Sequence, residues 1–315
     1  MHSIMKKMSK TIVFFGNERI ATGVTTHVPT LRGLIEAGYE VKAVVSNFEQ
    51  GQSRKSRHLE IEEVCREHNI PLILSEKPMD ILERLQDYNA AAGVLIAYGK
   101  IVPQKLIDIF PRGIINIHPS LLPLHRGPTP LESVILDGSA KTGVSVMKLV
   151  RAMDAGPIYA QSEVELVGNE TKQELADTLL SVGLSMLLEV LPGILDGSII
   201  ALPQDEESAT YDSLISKDHG AIDWNKPAAN LEREIRAYAE WPRSRTTLAN
   251  KDVIVTKAHA TASSLPQSQP ADIATVDGDI AIATSDGILH IERLQPAGKS
   301  EMTAQAFLAG HKHLL

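Results

Sequence analysis

The chain has 315 residues, room for one large domain or two ordinary ones of about 100–200 residues each. Hydrophobic residues at 43% and charged residues at 22% suit a protein with a full buried core, while 31 Lys and Arg against 39 Asp and Glu leave a net charge of −8 that excludes a uniformly basic surface. One cysteine, Cys65, rules out an intramolecular disulfide framework or a cysteine-based zinc cluster, and aromatics at 4% argue against stacking platforms for single strands.

Near the N-terminus, Lys6, Lys7 and Lys10 precede an apolar stretch of only residues 12–15, so no signal peptide is expected. The most apolar run, 90–97, is too short to cross a bilayer. A cytoplasmic protein without membrane contact is the expectation.

Apolar runs at 11–16, 40–46, 71–75, 91–98, 113–118 and 143–150 predict strands. Helices are predicted between them, near 24–37, 58–69, 79–89, 103–110 and 130–137. Leu59, Ile61, Val64 and Cys65 form a helical stripe, which makes Cys65 a small core residue rather than a nucleophile. Continuous apolar strands alternating with helices specify a parallel sheet covered on both faces. An amphipathic helix is predicted from Lys172 to Leu195, broken by Pro192 and Gly197. The polar stretch 202–210 then reads as a linker.

Beyond it the texture changes. A helix is predicted near 228–240, followed by short β runs at 253–256, 280–283 and 288–294, with Asp277-Gly278 and Asp286-Gly287 as turns. A small β-rich domain, barrel-like, is the expectation. The domain boundaries are thus 1–203, a linker at 204–212, and 213–315.

Open α/β sheets bind ligands beyond the carboxyl ends of their strands. After the first strand the residues run from Gly16 to Gly23 without a G-x-G-x-x-G pattern, and no phosphate-cradling G-x-x-x-x-G-K-[ST] occurs. Neither NAD nor ATP is supported. The fifth strand ends in Asn116-Ile117-His118-Pro119. Side chains two apart share a face, so Asn116 and His118 project together. The sixth leads into Met153-Asp154-Ala155-Gly156-Pro157, which is expected to place Asp154 at the same edge. An amide can donate to a developing oxyanion, an imidazole can move a proton near neutral pH, and a carboxylate can hold that imidazole. Each of these residues also occurs in ordinary turns; it is their combination that points to chemistry. His125 reads as a rim histidine. No second histidine lies at ligand spacing from His118, so no metal is expected.

The order Asn-x-His, Ser-Leu-Leu-Pro, Arg-Gly-Pro and Met-Asp-x-Gly-Pro between residues 115 and 161 resembles the core of folate-dependent formyltransferases. The resemblance implies a Rossmann-like, mostly parallel sheet of the formyltransferase fold. It implies that 10-formyltetrahydrofolate donates a formyl group to an amine, with Asn116, His118 and Asp154 catalytic. Ser120, Leu121, Leu122 and Pro123, with the backbone of Ala97, Tyr98 and Gly99, would hold the folate. Segments at 221–224, 236–242 and 294–302 resemble the C-terminal domain of the methionyl-tRNA formyltransferase family, which implies initiator methionyl-tRNA as the acceptor. Trp224 and Trp241 read as packing anchors of that domain.

For the tRNA, Arg54, Lys55 and Arg57 match a basic insertion of the family, and Arg236 heads a second cluster with Arg233, Arg243 and Arg245. A solvated charge run is the plainer reading of the first. Acidic residues outnumber basic ones in the C-terminal region, so its basic character is local. The turn at 17–22 departs from the Thr-Pro-x-Phe-Ala usual in bacterial relatives. A monomer is expected. The alternatives are formylation of an amino-sugar nucleotide or another small amine, and a non-catalytic RNA-binding relative.

Overall fold

The computed structural model describes residues 10–47, 59–264, 267–276 and 278–311. The chain divides into two compact units. The first comprises Met1–Pro130, Lys141–Glu165 and Leu175–Ser213; the second comprises Leu131–Ala140, Leu166–Glu174 and Leu214–Leu315.

The first unit is built on seven strands: β1 (Thr11–Gly16), β2 (Glu40–Ser46), β3 (Leu72–Leu74), β4 (Ala92–Ile96), β5 (Ile114–His118), β6 (Lys141–Lys148) and β7 (Ile158–Glu165), in the order β3-β2-β1-β4-β5-β6-β7. The pairs from β3 to β5 are parallel, whereas β6 runs antiparallel to both β5 and β7. Parallel strands buried on both faces are predominantly apolar, and β4 and β5 are buried along their whole length, with Asn116 and His118 the polar exceptions in β5. One face carries Val13, Phe15, Val45, Leu95 and Ile114 against Leu85, Leu106 and Phe110. These come from α3 (Leu82–Asp87), α4 (Gln104–Ile107) and the turn after it. Between β2 and β3 runs α2 (Glu60–Glu67), where Cys65 is buried and burial pushes its thiol up to about 11, as a core residue requires.

Pro29 opens α1 (Pro29–Glu36), and no local side chain caps it. Instead the fully buried carboxyl group of Glu18 accepts the backbone N–H groups of Thr30 at 2.9 Å and Leu31 at 2.8 Å. Its oxygens sit where the helix dipole is positive, replacing a local cap.

The long helix α6 (Lys172–Asp196) passes through Pro192 and ends at Gly197, whose φ is 87°. By length and composition alone it could cross a membrane, unlike the run at 90–97. Its leucines, however, include Leu175, Leu179, Leu180, Leu187 and Leu191, all buried, which is the signature of a core helix. Gly183 lets it approach the sheet: a Cβ there would lie 2.9 Å from Ile117. The predicted break at Pro192 does not occur, because burial of Leu191, Ile194 and Leu195 around it outweighs the cost of about 3 kcal/mol for an interior proline.

The second unit contains an antiparallel sheet of β8 (Ser244–Leu248), β9 (Lys251–Thr261), β10 (Ile273–Val276), β11 (Asp279–Ala283), β12 (Ile288–Pro296) and β13 (Met302–Thr303), ordered β10-β11-β12-β9-β8 with β13 against β12. Leu231 and Ile235 of α7 (Ala228–Ala237), with Phe307 and Leu308 of α8 (Ala304–His311), close its core against Val253, Val255, Ile280, Leu289 and Ile291. Trp224 packs on this cluster, while Trp241 is exposed. α5 (Pro130–Asp137) contributes Glu132, which is buried and ion-paired at 3.3 Å with fully buried Lys172. Glu240 lies 3.3 Å from the same ammonium, so the cation is shared between two acids, as burial of a charge requires.

Candidate active site

Asn116 and His118 lie on one face at the carboxyl end of β5, each 5% exposed. The Asn116 amide makes no side-chain hydrogen bond among the described residues, so its donors remain for a ligand. His118 Nε2 lies 2.9 Å from the carbonyl oxygen of His125. A carbonyl can only accept, so Nε2 carries its proton and Nδ1 is the nitrogen left to exchange one. Nδ1 faces Asp154 Oδ1 at 3.7 Å, while Asp154 Oδ2 accepts the Gly127 N–H at 2.9 Å.

Asp154 arrives by a route different from the expected one. His118 pairs with Ser145 and Ile115 with Lys148, so antiparallel β6 ends beside the start of β5 and not beside His118. The loop between β6 and β7 brings Asp154 back, with the residue itself in the left-handed region at φ 48°. Gln204 holds this loop, its amide donating to the carbonyls of Asp154 and Gly156 at 2.7 Å each.

The Ser120–Pro123 loop is fixed from β6 and β7. Ser145 Oγ donates to Ser120 O at 2.7 Å and accepts the Leu122 N–H at 3.0 Å; Gln161 donates to Leu122 O at 2.8 Å. Ser120 is buried and its hydroxyl is spent on Leu124 O, so of this loop Leu121 and Pro123 are the half-exposed residues. After β4, Ala97 and Gly99 take φ values of 50° and 71°, and Tyr98 turns inward. Its ring stands edge-on to Phe15 at 5.6 Å, and burial pushes its hydroxyl up to about 12. Tyr98 therefore offers backbone, not its phenol, and its carbonyl already accepts from the Asn47 amide. Asn47 Oδ1 is buried beside Gly99 without a partner among the described residues, an acceptor suited to an N–H on the edge of a flat heterocycle.

Among the expected tRNA contacts, Arg54, Lys55 and Arg57 lie outside the described residues. Arg236 is committed inside its own unit: it binds both oxygens of Glu232 at 2.6 and 3.0 Å and the carbonyl of Glu170 at 3.0 Å. Arg233, Arg243 and Arg245 also bond protein oxygens. No group of three or more His, Cys, Asp or Glu suited to a metal ion occurs among the described residues.

Residues 11–191 match the formyl transferase family, and residues 214–312 match the formyl transferase C-terminal domain. The methionyl-tRNA formyltransferase of Roseiflexus castenholzii is 35% identical over 307 residues, covering 96% of this chain and 96% of that protein. The chain belongs to the methionyl-tRNA formyltransferase family. The Bacillus licheniformis member is 36% identical over 305 residues, covering 95% of this chain and 94% of its own length. Among solved structures, the N-formyltransferase of Helicobacter canadensis, crystallised with folinic acid and dTDP-3-aminofucose, shares the fold with a TM-score of 0.68. It is 19% identical, covering 90% of this chain and 98% of that one. HypX from Aquifex aeolicus, in complex with tetrahydrofolic acid, gives 0.64 at 17% identity and covers 95% of this chain; this chain spans 47% of that protein.

The residues that sequence reasoning missed belong to segment 204–213. Arg126, fully buried, donates to Gln204 Oε1, to both carboxylate oxygens of Glu206 and to the Tyr211 hydroxyl. A linker-like composition gives no hint of these bonds; an arginine in a proline-rich loop is the available signal.

Proposed function

We propose that this protein transfers the formyl group of 10-formyltetrahydrofolate to the α-amino group of methionine on initiator tRNA. The observation that carries the reading is the juxtaposition of an uncommitted Asn116 amide with His118 on one face, and Asp154 at 3.7 Å from its ring. It sits in a chain whose two parts match the formyl transferase family and its C-terminal domain, and whose relatives at 35% and 36% identity are methionyl-tRNA formyltransferases.

The residues fit a folate co-substrate: Leu121 supplies an apolar wall, and Asn47 Oδ1 with the turned backbone of Ala97–Gly99 supplies polar edges. In the reaction the amine nitrogen bonds to the formyl carbon, and the bond from that carbon to the folate nitrogen breaks. The amine is already a nucleophile, so positioning and charge stabilisation suffice. Asn116 donates to the formyl oxygen as negative charge develops on it. His118 takes the amine proton at Nδ1 and returns one to the departing nitrogen, while Asp154 balances the imidazolium. Arg54, Lys55 and Arg57 would meet the tRNA phosphates, whereas Arg236 would serve its own unit through Glu232 and Glu170. We place the enzyme in the cytoplasm, as a monomer.

Incubating the protein with labelled 10-formyltetrahydrofolate and either methionyl initiator tRNA or a dTDP-amino sugar decides the acceptor. Formylmethionyl-tRNA is the expected product. A formylated sugar nucleotide with untouched tRNA would sink the reading.

A further inference from the structure

We propose that segment 204–213 is a positioning strap that holds both halves of the His118–Asp154 pair, through His125 and through Gln204. This rests on the role given to that pair above. The strap runs beside the loop that follows β5. Thr210 Oγ1 accepts the His125 N–H at 2.8 Å, Thr210 O accepts the Arg126 N–H at 2.9 Å, and Arg126 O accepts the Asp212 N–H at 2.8 Å. At its far end Asp212 Oδ1 meets His125 Nδ1 at 3.2 Å. Asp212 Oδ2 is buried without a partner among the described residues, which leaves the carboxylate dependent on His125.

The consequence falls on one carbonyl. His125 adopts a left-handed φ of 56°, a conformation that a non-glycine residue keeps only when its surroundings impose it. In that conformation its oxygen meets His118 Nε2 at 2.9 Å. Both the amide and the ring of His125 are gripped by the strap, so the strap sets where that oxygen points. Close approach is built in, since a Cβ on Gly127 would lie 2.9 Å from Asp212 O. The other half is carried by Gln204: its oxygen accepts from Arg126 at 3.0 and 2.7 Å, and its nitrogen holds the Asp154 and Gly156 carbonyls. Arg126 is thus the hub on which both arms converge. Asp212, Thr210 and Gln204 are positioning residues, acting through His118 and Asp154.

The test uses full-length protein with 15N-labelled histidine, the His118 ring being assigned by its disappearance in His118→Gln. In the wild type the ring is expected with Nε2 protonated and hydrogen-bonded. Asp212→Ala and Thr210→Val should each shift that signal or expose it to solvent exchange. Thr210 is exposed, so its valine variant leaves the core intact. In formyl transfer both variants should lower kcat by about 10- to 100-fold with KM for either substrate within about twofold, as displacement of a catalytic group does. Asp212→Asn, which still accepts from His125, should recover most of the loss. An unmoved His118 signal in both variants overturns the proposal, and so does a raised KM with wild-type kcat. If the wild type formylates no methionyl-tRNA, the acceptor assignment fails while the ring signal still decides the strap.

Discussion

Asp154 divides its carboxylate between His118 and the backbone: Oδ1 lies 3.7 Å from His118 Nδ1 and Oδ2 accepts the Gly127 N–H. Charge and scaffolding are therefore separable in one side chain. Asp154→Asn keeps an oxygen for Gly127 and loses the charge that, in the proposed reaction, stabilises the imidazolium. We expect kcat to fall on the order of 100-fold, comparable to His118→Ala, with substrate KM values little changed. A variant turning over at the wild-type rate would show that the proton is handled elsewhere.

Asn116 makes no internal side-chain bond among the described residues, so its truncation removes little from the fold. Asn116→Ala should lower kcat by about 100- to 1,000-fold, the cost of one oxyanion donor. Asn116→Asp should be at least as slow, because an acceptor replaces a donor. If KM rises and kcat stays, Asn116 binds the ground state only.

Much of this was legible in the sequence, and the exceptions have physical causes. β1 and β4 announce themselves because a strand buried on both faces reads as a continuous apolar run. β7 does not: it is an edge strand alternating between half-buried and exposed positions, and its residues, Ile158–Glu165, lack a continuous apolar run. β8, with the sequence SRTTL, is hidden for the same reason. The pair Asn116 and His118 follows from strand periodicity alone, whereas the approach of Asp154 depends on β6 running antiparallel, which no local pattern encodes. His125 reads as a rim histidine, yet its carbonyl fixes the His118 ring. The strap at 204–213 reads as a linker because its bonds join residues far apart in the sequence, and Arg126 enters the sequence reading only through the Arg-Gly-Pro motif.

Glu18 gives a pH dependence of stability. Burial pushes its carboxyl up to about 7, against the lowering effect of the Leu31 and Thr30 N–H groups. The folded state therefore holds a proton that the unfolded chain releases near pH 4.5. Its contribution is full below that pH, declines through the interval up to about 7, and is lost above it. The interval corresponds to about 3 kcal/mol. Urea midpoints of the wild type and Glu18→Gln should therefore diverge between pH 5 and 7, the wild type losing ground as pH rises, and run parallel from pH 8 upward. Parallel curves throughout would mean that Glu18 titrates normally.

The net charge of −8 leaves tRNA binding to local clusters, and Arg236 is spent on Glu232 and Glu170. The proposed function then assigns a large share of the phosphate contacts to Arg54, Lys55 and Arg57. Replacing all three with Ala should raise KM for methionyl-tRNA while leaving KM for the folate unchanged. Each phosphate contact contributes a slope of about 0.7–0.9 in log affinity against log salt, so the triple variant should flatten the salt dependence by about 2. Arg236→Ala, by contrast, should shift thermal stability through loss of its two-oxygen pairing and leave the salt slope in place. The reverse pattern would move the tRNA site from the 54–57 segment to α7.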